Sequence, residues 1–318
     1  MTGGITHWDD VEAVRREAGH IGGSWQGLGS AAGTVGVGLK RMRVDPGKWS
    51  TPAHCQGGEE EIFFVLGGSG LSWQDGEVYE VGQGDCLVHL AGQAVHTLRA
   101  GPQGLEVLAF GMRLYTEIGE LPRANVAWIG PTWVTVGEDP PPWDREVAAG
   151  EPEVGEPSPR PGLIVGLADA KSVEHRSVAT ERDLGRPAGS ERTGLRHIAL
   201  APDKAGPPAH CHSAEEEIFV VLEGGGTLEL TPTPAPGEAA AVAESHALRA
   251  GHVVARPPAS RVAHRLRAGG EGLTYLAYGT REPSDVAYYP NSDKIYFRGV
   301  GVMARLKRLE YMDGEAES

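Results

Sequence analysis

The stretch HCQGGEEEIFFVLGG at residues 54–68 recurs as HCHSAEEEIFVVLEG at residues 210–224, with an offset of 156 residues throughout. A second block, HTLRAG at residues 96–101, recurs as HRLRAG at residues 264–269, with an offset of 168 residues. Two separate blocks that repeat in the same order indicate that the chain contains two copies of one domain.

The repeat extends beyond these two blocks, because residues 39–53 align with residues 195–209 without a gap. The larger second offset has its source in a proline- and alanine-rich run that follows Pro232. We interpret this run as an insertion in a hairpin loop, where added length costs little. Residues 137–161, between the copies, are rich in proline and acidic side chains and predict an extended linker.

The bulk composition agrees with two folded domains, which we place at residues 1–150 and 151–318, with the boundary inside the linker. Each half is long enough to bury roughly 70% of its extended-chain surface. The 46 glycines and 23 prolines stay below the fraction at which disorder becomes the default, and they suit an all-β protein with many turns.

Both copies have the pattern of strands. Residues 61–66 and 217–222 are short β-branched and aromatic runs that glycines close. Helical patterns are scarce, and we expect helices only at Trp8–Ala18, capped by Asp9 or Asp10, and at residues 303–311. The predicted fold class is therefore all-β, with two tandem antiparallel β-barrels of the jelly-roll type.

Charge and cysteine content exclude several classes of function. The net charge of −14, without a basic stripe, makes nucleic acid and anionic membranes poor partners. No apolar run is long enough for a transmembrane helix, and the first residues do not have the pattern of a signal peptide. The three cysteines Cys55, Cys86 and Cys211 form no CxxC pair, which favours a reducing, cytoplasmic setting.

The second copy carries a complete set of metal-binding side chains: His210, His212, Glu217 and His264. Alternate residues of a strand share a face, so His210 and His212 project the same way. Three imidazoles and one carboxylate suit divalent Fe, Mn, Co, Ni, Cu or Zn, and this ligand set does not choose among them. If these were ordinary polar residues on a solvated strand, their recurrence in the first copy would have no explanation.

The first copy carries an altered set at the matching positions: His54, Gln56, Glu61 and His96. An amide oxygen is a weaker ligand than imidazole for these metals. Three interpretations stay open: this site holds a metal, holds it weakly, or is a relic. In the last case Gln56 would hydrogen-bond Glu61 or His96, and the pocket would be structural or bind an organic ligand.

The neighbours of these side chains receive simpler interpretations. We expect Glu60 and Glu216 to face solvent as part of a charged edge. His89 either lines the first pocket or is a hydrogen-bonded strand histidine. One of Tyr275 and Tyr278 reaches the second pocket, or both belong to the core.

The histidine and glutamate pattern resembles the cupin superfamily. The first cupin motif ends on His-x-His, a glutamate and a glycine, which His210, His212, Glu217 and Gly224 match. Its second motif, with a glycine, a proline and a histidine, is approximated by Gly251, Pro257 and His264. The opening glycine of the first motif is displaced, and alanine stands where the second motif ends on asparagine. Since the resemblance covers most of both halves, the chain is similar to two-domain cupins, or bicupins.

The resemblance implies a barrel with a metal inside and a small-molecule substrate or ligand. It also implies a homo-oligomer, commonly a dimer, or a monomer whose two halves pair. The first hypothesis is a metal-dependent enzyme, with a slight preference for dioxygenase chemistry over isomerase or hydrolase chemistry. In some similar enzymes the glutamate leaves the metal and acts as a base, which makes Glu217 the catalytic candidate. The alternative is a non-catalytic small-molecule-binding bicupin with a structural metal.

Overall fold

The computed structural model describes residues 4–129, 132–135, 140, 142–233, 242–307, 309 and 312–315. The elements of its first half are β1 Ile5–His7, β2 Val14–Ala18, β3 Ile21–Gln26, α1 Leu28–Ala32, β4 Val37–Val44, β5 Cys55–Gln56, β6 Glu61–Gln74, β7 Glu77–Gly82, β8 Asp85–His89, β9 His96–Met112, β10 Ile118–Leu121, β11 Val126–Ile129, β12 Thr132–Thr135 and α2 Pro142–Ala148. Those of its second half are β13 Ile164–Gly166, β14 Ser172–His175, β15 Ala179–Asp183, β16 Thr193–Leu200, β17 Cys211–His212, β18 Glu217–Pro232, β19 Glu244–Arg249, β20 His252–Arg256, β21 Val262–Thr280, β22 Val286–Tyr289, β23 Lys294–Phe297 and β24 Val302–Arg305.

These strands form two large and two small sheets, all antiparallel. One large sheet has the order β13-β8-β6-β9-β4-β3-β2, with β7 also paired to β6, and the other has the order β1-β20-β18-β21-β16-β15-β14, with β19 also paired to β18. The small sheets are β12-β11-β10-β5 and β17-β22-β23-β24. Each copy thus combines an eight-stranded and a four-stranded sheet, which confirms the predicted all-β class and its duplication. No helix in the described ranges has the length and apolar character needed to span a membrane.

The two halves exchange edge strands. β1, at the start of the chain, pairs with β20 of the second half, with Ile5 opposite Val254. β13, which follows the linker, pairs with β8 of the first half, with Ile164 opposite Leu87. Each large sheet is therefore completed by a strand from the other side of the linker, so the halves are joined by backbone hydrogen bonds as well as by side chains.

The central strands are buried on both faces, which explains their continuous apolar sequence. In β6, Ile62 and Phe64 pack in a core shared by the two halves, whereas Phe63 packs in the core of the first half. In β18, Ile218 enters the shared core and Phe219 the core of the second half. Each such side chain contributes on the order of 1.5–3 kcal/mol when fully buried.

The two tyrosines of β21 both belong to the core. Tyr278 lies in the shared core, where its ring stacks on Phe110 with centroids 5.0 Å apart. Tyr275 packs edge-on against Phe219, with centroids 5.9 Å apart.

The expectation that Glu60 and Glu216 face solvent is wrong, since they are 1% and 2% exposed. Alternation along the strand places Glu61 inside the barrel and Glu60 on the opposite face, which the other half covers. The carboxylate of Glu60 accepts hydrogen bonds from the hydroxyl of Ser190 (2.6 Å) and the backbone N–H of Glu191 (2.7 Å). Glu216 accepts from the backbone N–H groups of Val35 (2.8 Å) and Gly36 (2.6 Å). The two glutamates therefore form a reciprocal clamp between the halves.

The predicted helices are also wrong where the structure describes them. The segment Trp8–Ala18 has one 3₁₀ turn at Trp8–Asp10 and then becomes β2, because an open sheet edge at β3 offers it hydrogen-bond partners. The segment 303–311 begins as β24, and residues 308, 310 and 311 lie outside the described ranges. The linker, expected to be extended, contains α2, which starts on Pro142, a residue suited to the first helical position.

Candidate metal centre

The backbone brings a histidine pair together in the same way in each half. His54 and His96 face each other across an antiparallel bridge, with N–H to O=C distances of 3.1 and 2.8 Å between them. His210 and His264 form the matching bridge, with distances of 3.3 and 2.9 Å. The ring centroids are 4.6 Å apart in the first pair and 4.8 Å apart in the second. The two sites therefore share one backbone frame and differ in the side chains that it carries.

In the second half the four predicted side chains meet. Possible ligand atoms of His210, His212 and Glu217 all lie within 4.8 Å of one another. Oε2 of Glu217 is 3.0 Å from Nε2 of His264 and 3.5 Å from Nε2 of His212. These three atoms are buried and have no hydrogen-bond partner. Because a buried polar atom without a partner is costly, a cation that accepts three lone pairs at this point is the group that the donor set fits.

The outer ring nitrogens of the histidines are held from behind. Nδ1–H of His210 donates to the carbonyl of Pro208 (2.9 Å), and Nδ1–H of His212 donates to Oδ2 of Asp285 (2.7 Å). Asp285 is itself fixed by the backbone N–H groups of Ala214 (2.9 Å) and Glu215 (3.2 Å). Such contacts fix the tautomer that leaves Nε2 as the ligand atom, and they raise the basicity of the ring.

Sequence reasoning missed Asp285, although the repeat contains its signal. Glu117 lies at the matching position in the first half, at the offset of 168 that relates the distal histidines. Glu117 accepts hydrogen bonds from the backbone N–H groups of Gly57 (2.7 Å) and Gly58 (3.1 Å), as Asp285 does in the second half. Only the second half has a histidine, His212, for this acid to orient.

The charges of the second cluster are set by mutual contact. Burial alone lowers the pKa of His212, but Glu217 and Asp285 overcome it and raise the pKa to about 9. Burial opposes ionisation of Glu217, yet the imidazoles of His212 and His264 hold the pKa of that carboxyl well below its usual range. Burial lowers the pKa of His264 to about 4. At neutral pH the cluster thus contains a carboxylate, a neutral imidazole and a charged imidazole whose proton a metal would displace.

In the first half, His54, Glu61 and His96 also meet. Oε2 of Glu61 is 3.5 Å from Nε2 of His54 and 3.2 Å from Nε2 of His96, which donates to it. Burial alone would lower the pKa of His54, but the hydrogen bond and the negative charge of Glu61 raise it. The Oε1 atom of Gln56 lies beside Gly119, where a side chain at Gly119 would collide with it. Gly119 therefore accommodates the amide of Gln56, which is a weaker ligand than imidazole.

His89 packs against the first site through ring stacking and not through a hydrogen bond. Its ring stacks on His96 with centroids 3.7 Å apart and planes inclined by 2°. Its Nε2 is buried and has no hydrogen-bond partner. Burial holds the pKa of His89 well below its usual range, so that it stays neutral against His96.

A cavity of about 620 Å³ opens on the first cluster. His54, Gln56 and Glu61 line it, together with apolar and aromatic side chains and further charged ones. Glu59, which also lines it, accepts a hydrogen bond from the backbone N–H of Leu114, and burial raises the pKa of its carboxyl to about 7. The cavity has the size of a site for a small organic molecule.

Comparison with known proteins finds a domain family and solved structures with a similar fold. Residues 40–110 match the cupin domain family. The fold is similar to that of a formate complex of Lactobacillus farciminis oxalate decarboxylase, with 14% identity, a TM-score of 0.58, and coverage of 88% of this chain and 87% of that one. Bacillus subtilis oxalate decarboxylase, described with Mn(II) centres, has 16% identity and a TM-score of 0.59, with coverage of 90% of this chain and 79% of that one. Vicilin from hazelnut (Corylus avellana) has 14% identity and a TM-score of 0.57, with coverage of 90% of this chain and 88% of that one. No curated protein sequence matches the chain.

The family match lies in the first half, and the structural likeness spans both halves. The first half therefore contains a cupin domain, and the whole chain has a fold similar to that of the solved structures named above. The solved structures named here are at most 16% identical to this chain in sequence. Their similarity therefore establishes the fold, and the reaction has to be argued from the site.

Proposed function

We propose that the chain is a metal-dependent enzyme whose second-domain cluster, His210, His212, Glu217 and His264, holds one divalent cation. The observation that carries this proposal is the convergence of three buried, unpartnered ligand atoms, on His212, Glu217 and His264. The contact of Asp285 with His212 adds support, since metal-bound histidines characteristically have such a partner. Mn is one candidate by analogy with the Bacillus subtilis protein, and the ligands suit Fe, Co, Ni, Cu and Zn as well.

The proposed substrate is a small, oxygen-bearing organic molecule. A divalent cation here would supply Lewis acidity or a binding position for dioxygen. We favour dioxygenase chemistry slightly over isomerase or hydrolase chemistry. Glu217 would serve as an anionic ligand, and the cupin resemblance implies that it can also leave the metal and act as a base.

The test is elemental analysis of protein purified without a metal-affinity tag, with His212→Ala as the variant and Gln56→Ala as its matched control. We expect about one metal per chain to be lost in His212→Ala, because three ligands remain and one buried nitrogen is gone. Gln56→Ala should retain the metal of the second domain. Stoichiometric metal at the second site in a folded His212→Ala variant would contradict the assignment.

A further inference from the structure

The cavity of the first domain has a composition that the proposed metal centre does not explain. Its walls include the apolar and aromatic side chains Met112, Leu114, Leu121, Trp128 and Trp143. Such a lining binds the body of an organic molecule, while a few polar groups fix its orientation. The charged groups that line the cavity therefore indicate what that molecule carries.

The carboxylates that line the cavity are already engaged. Glu61 lies against His54 and His96, and Glu117 accepts from two backbone N–H groups. Glu59 accepts from the backbone N–H of Leu114. These anions need no further cation for their hydrogen bonds.

Three cations line the cavity, Arg16, Lys40 and Arg113, and Arg16 lies over the ring of Trp143, 5.6 Å from its centroid. Lys40 is exposed on β4, and within the described ranges it forms neither a hydrogen bond nor an ion pair. Arg113, the cation nearby on the chain's β9–β10 connection, donates to the hydroxyl of Ser30 (3.0 Å). The charge of Lys40 acts on the nearby carboxyl of Glu59, but within the described ranges no carboxylate lies at ion-pair distance from its ammonium.

The matching position of the second domain gives a built-in comparison. Arg196 of β16 lies opposite Ala277 of β21, as Lys40 of β4 lies opposite Ala109 of β9. Arg196 forms an ion pair with Glu181 at 3.4 Å. The second domain thus neutralises this cation internally, and the first domain leaves it for an external anion.

We propose that the first-domain cavity binds a small organic carboxylate with an apolar or aromatic body, which Lys40 recognises through its charge. The body lies against apolar and aromatic side chains such as Trp128 and Trp143, and the carboxylate lies toward Lys40. The site is distinct from the second-domain metal centre, so either assignment can fail without the other.

The experiment is isothermal titration calorimetry of chelator-treated protein with phenylacetate and with phenylacetamide, its uncharged isostere. We expect phenylacetate to bind the wild-type protein at least about fivefold more tightly, the order of one partly exposed ion pair, and more weakly as salt is added. Lys40→Met should remove this preference while phenylacetamide binding is unchanged. Lys40→Arg should keep the preference.

Two control variants locate the effect. Arg196→Met changes the matched cation of the second domain and should leave phenylacetate binding as in the wild type. His212→Ala alters the second-domain metal centre and should do the same. Equal binding of the two probes to the wild type, loss of the preference in Arg196→Met, or loss of phenylacetate binding in His212→Ala would each overturn the proposal. Unchanged phenylacetamide binding in Lys40→Met shows that the cavity itself is intact.

Discussion

Replacing Asp285 by asparagine tests whether the acid behind His212 controls the metal site. The substitution keeps the size of the side chain and an oxygen for the N–H groups of Ala214 and Glu215, but removes the charge that holds Nδ1–H of His212 at 2.7 Å. Loss of such a contact costs 10–100-fold in metal affinity, or about 1.4–2.7 kcal/mol. We expect a loss of this size for Mn²⁺ once proton competition is removed.

Proton competition gives this prediction a characteristic pH dependence. The pKa of His212 without metal is raised to about 9, so a bound proton opposes Mn²⁺ at neutral pH, and wild-type affinity should rise about tenfold per pH unit up to about pH 9. Asp285→Asn removes one cause of the raised pKa, so its affinity should depend less on pH. The difference between the two proteins should therefore be larger at about pH 8.5 than at about pH 6.5.

The assay is Mn²⁺ titration followed by electron paramagnetic resonance of the free ion, in a His54→Ala background that disables the first cluster. Glu117→Gln is the matched control, because it alters the equivalent acid where no histidine depends on it. Its Mn²⁺ affinity should equal that of the background protein. If Asp285→Asn binds Mn²⁺ as the background does at both pH values, Asp285 does not support the site.

Further predictions concern the asymmetry of the two sites and the clamp between the domains. Gln56→His should raise the metal content of the first site, because the other three ligand positions, His54, Glu61 and His96, already converge. Elemental analysis in the His210→Ala background checks this, and an unchanged content would count against an otherwise intact site. His210→Ala should lose more metal than His54→Ala, and the opposite order by the same analysis would mean that the first site is the stronger one. Glu60→Ala should lower the free energy of unfolding by about 1.5–3 kcal/mol, since it removes a buried carboxylate that accepts several hydrogen bonds. Urea denaturation measures this change. A loss of stability no larger than that of the exposed control Glu77→Ala would refute the clamp between the halves.

The sequence alone was enough for the duplication, the all-β class and the sets of candidate ligands. The reason is local: strand periodicity places His210 and His212 on one face, and the repeat aligns His264 with His96 whatever the loop between them contains. The same offset of 168 relates Asp285 to Glu117, so a longer comparison of the copies would have found the orienting acid.

Only the tertiary structure decided what covers each strand face. Glu60 and Glu61 are neighbours of the same type, and periodicity shows only that they face opposite ways. Docking of the second domain on the outer face turns Glu60 from an expected surface residue into a buried link. The segment Trp8–Ala18 has a helical pattern, yet hydrogen bonding at a sheet edge outweighs its weak intrinsic preference. Contacts with distant parts of the chain set these outcomes, and a local sequence pattern carries no information about which distant surface will be present.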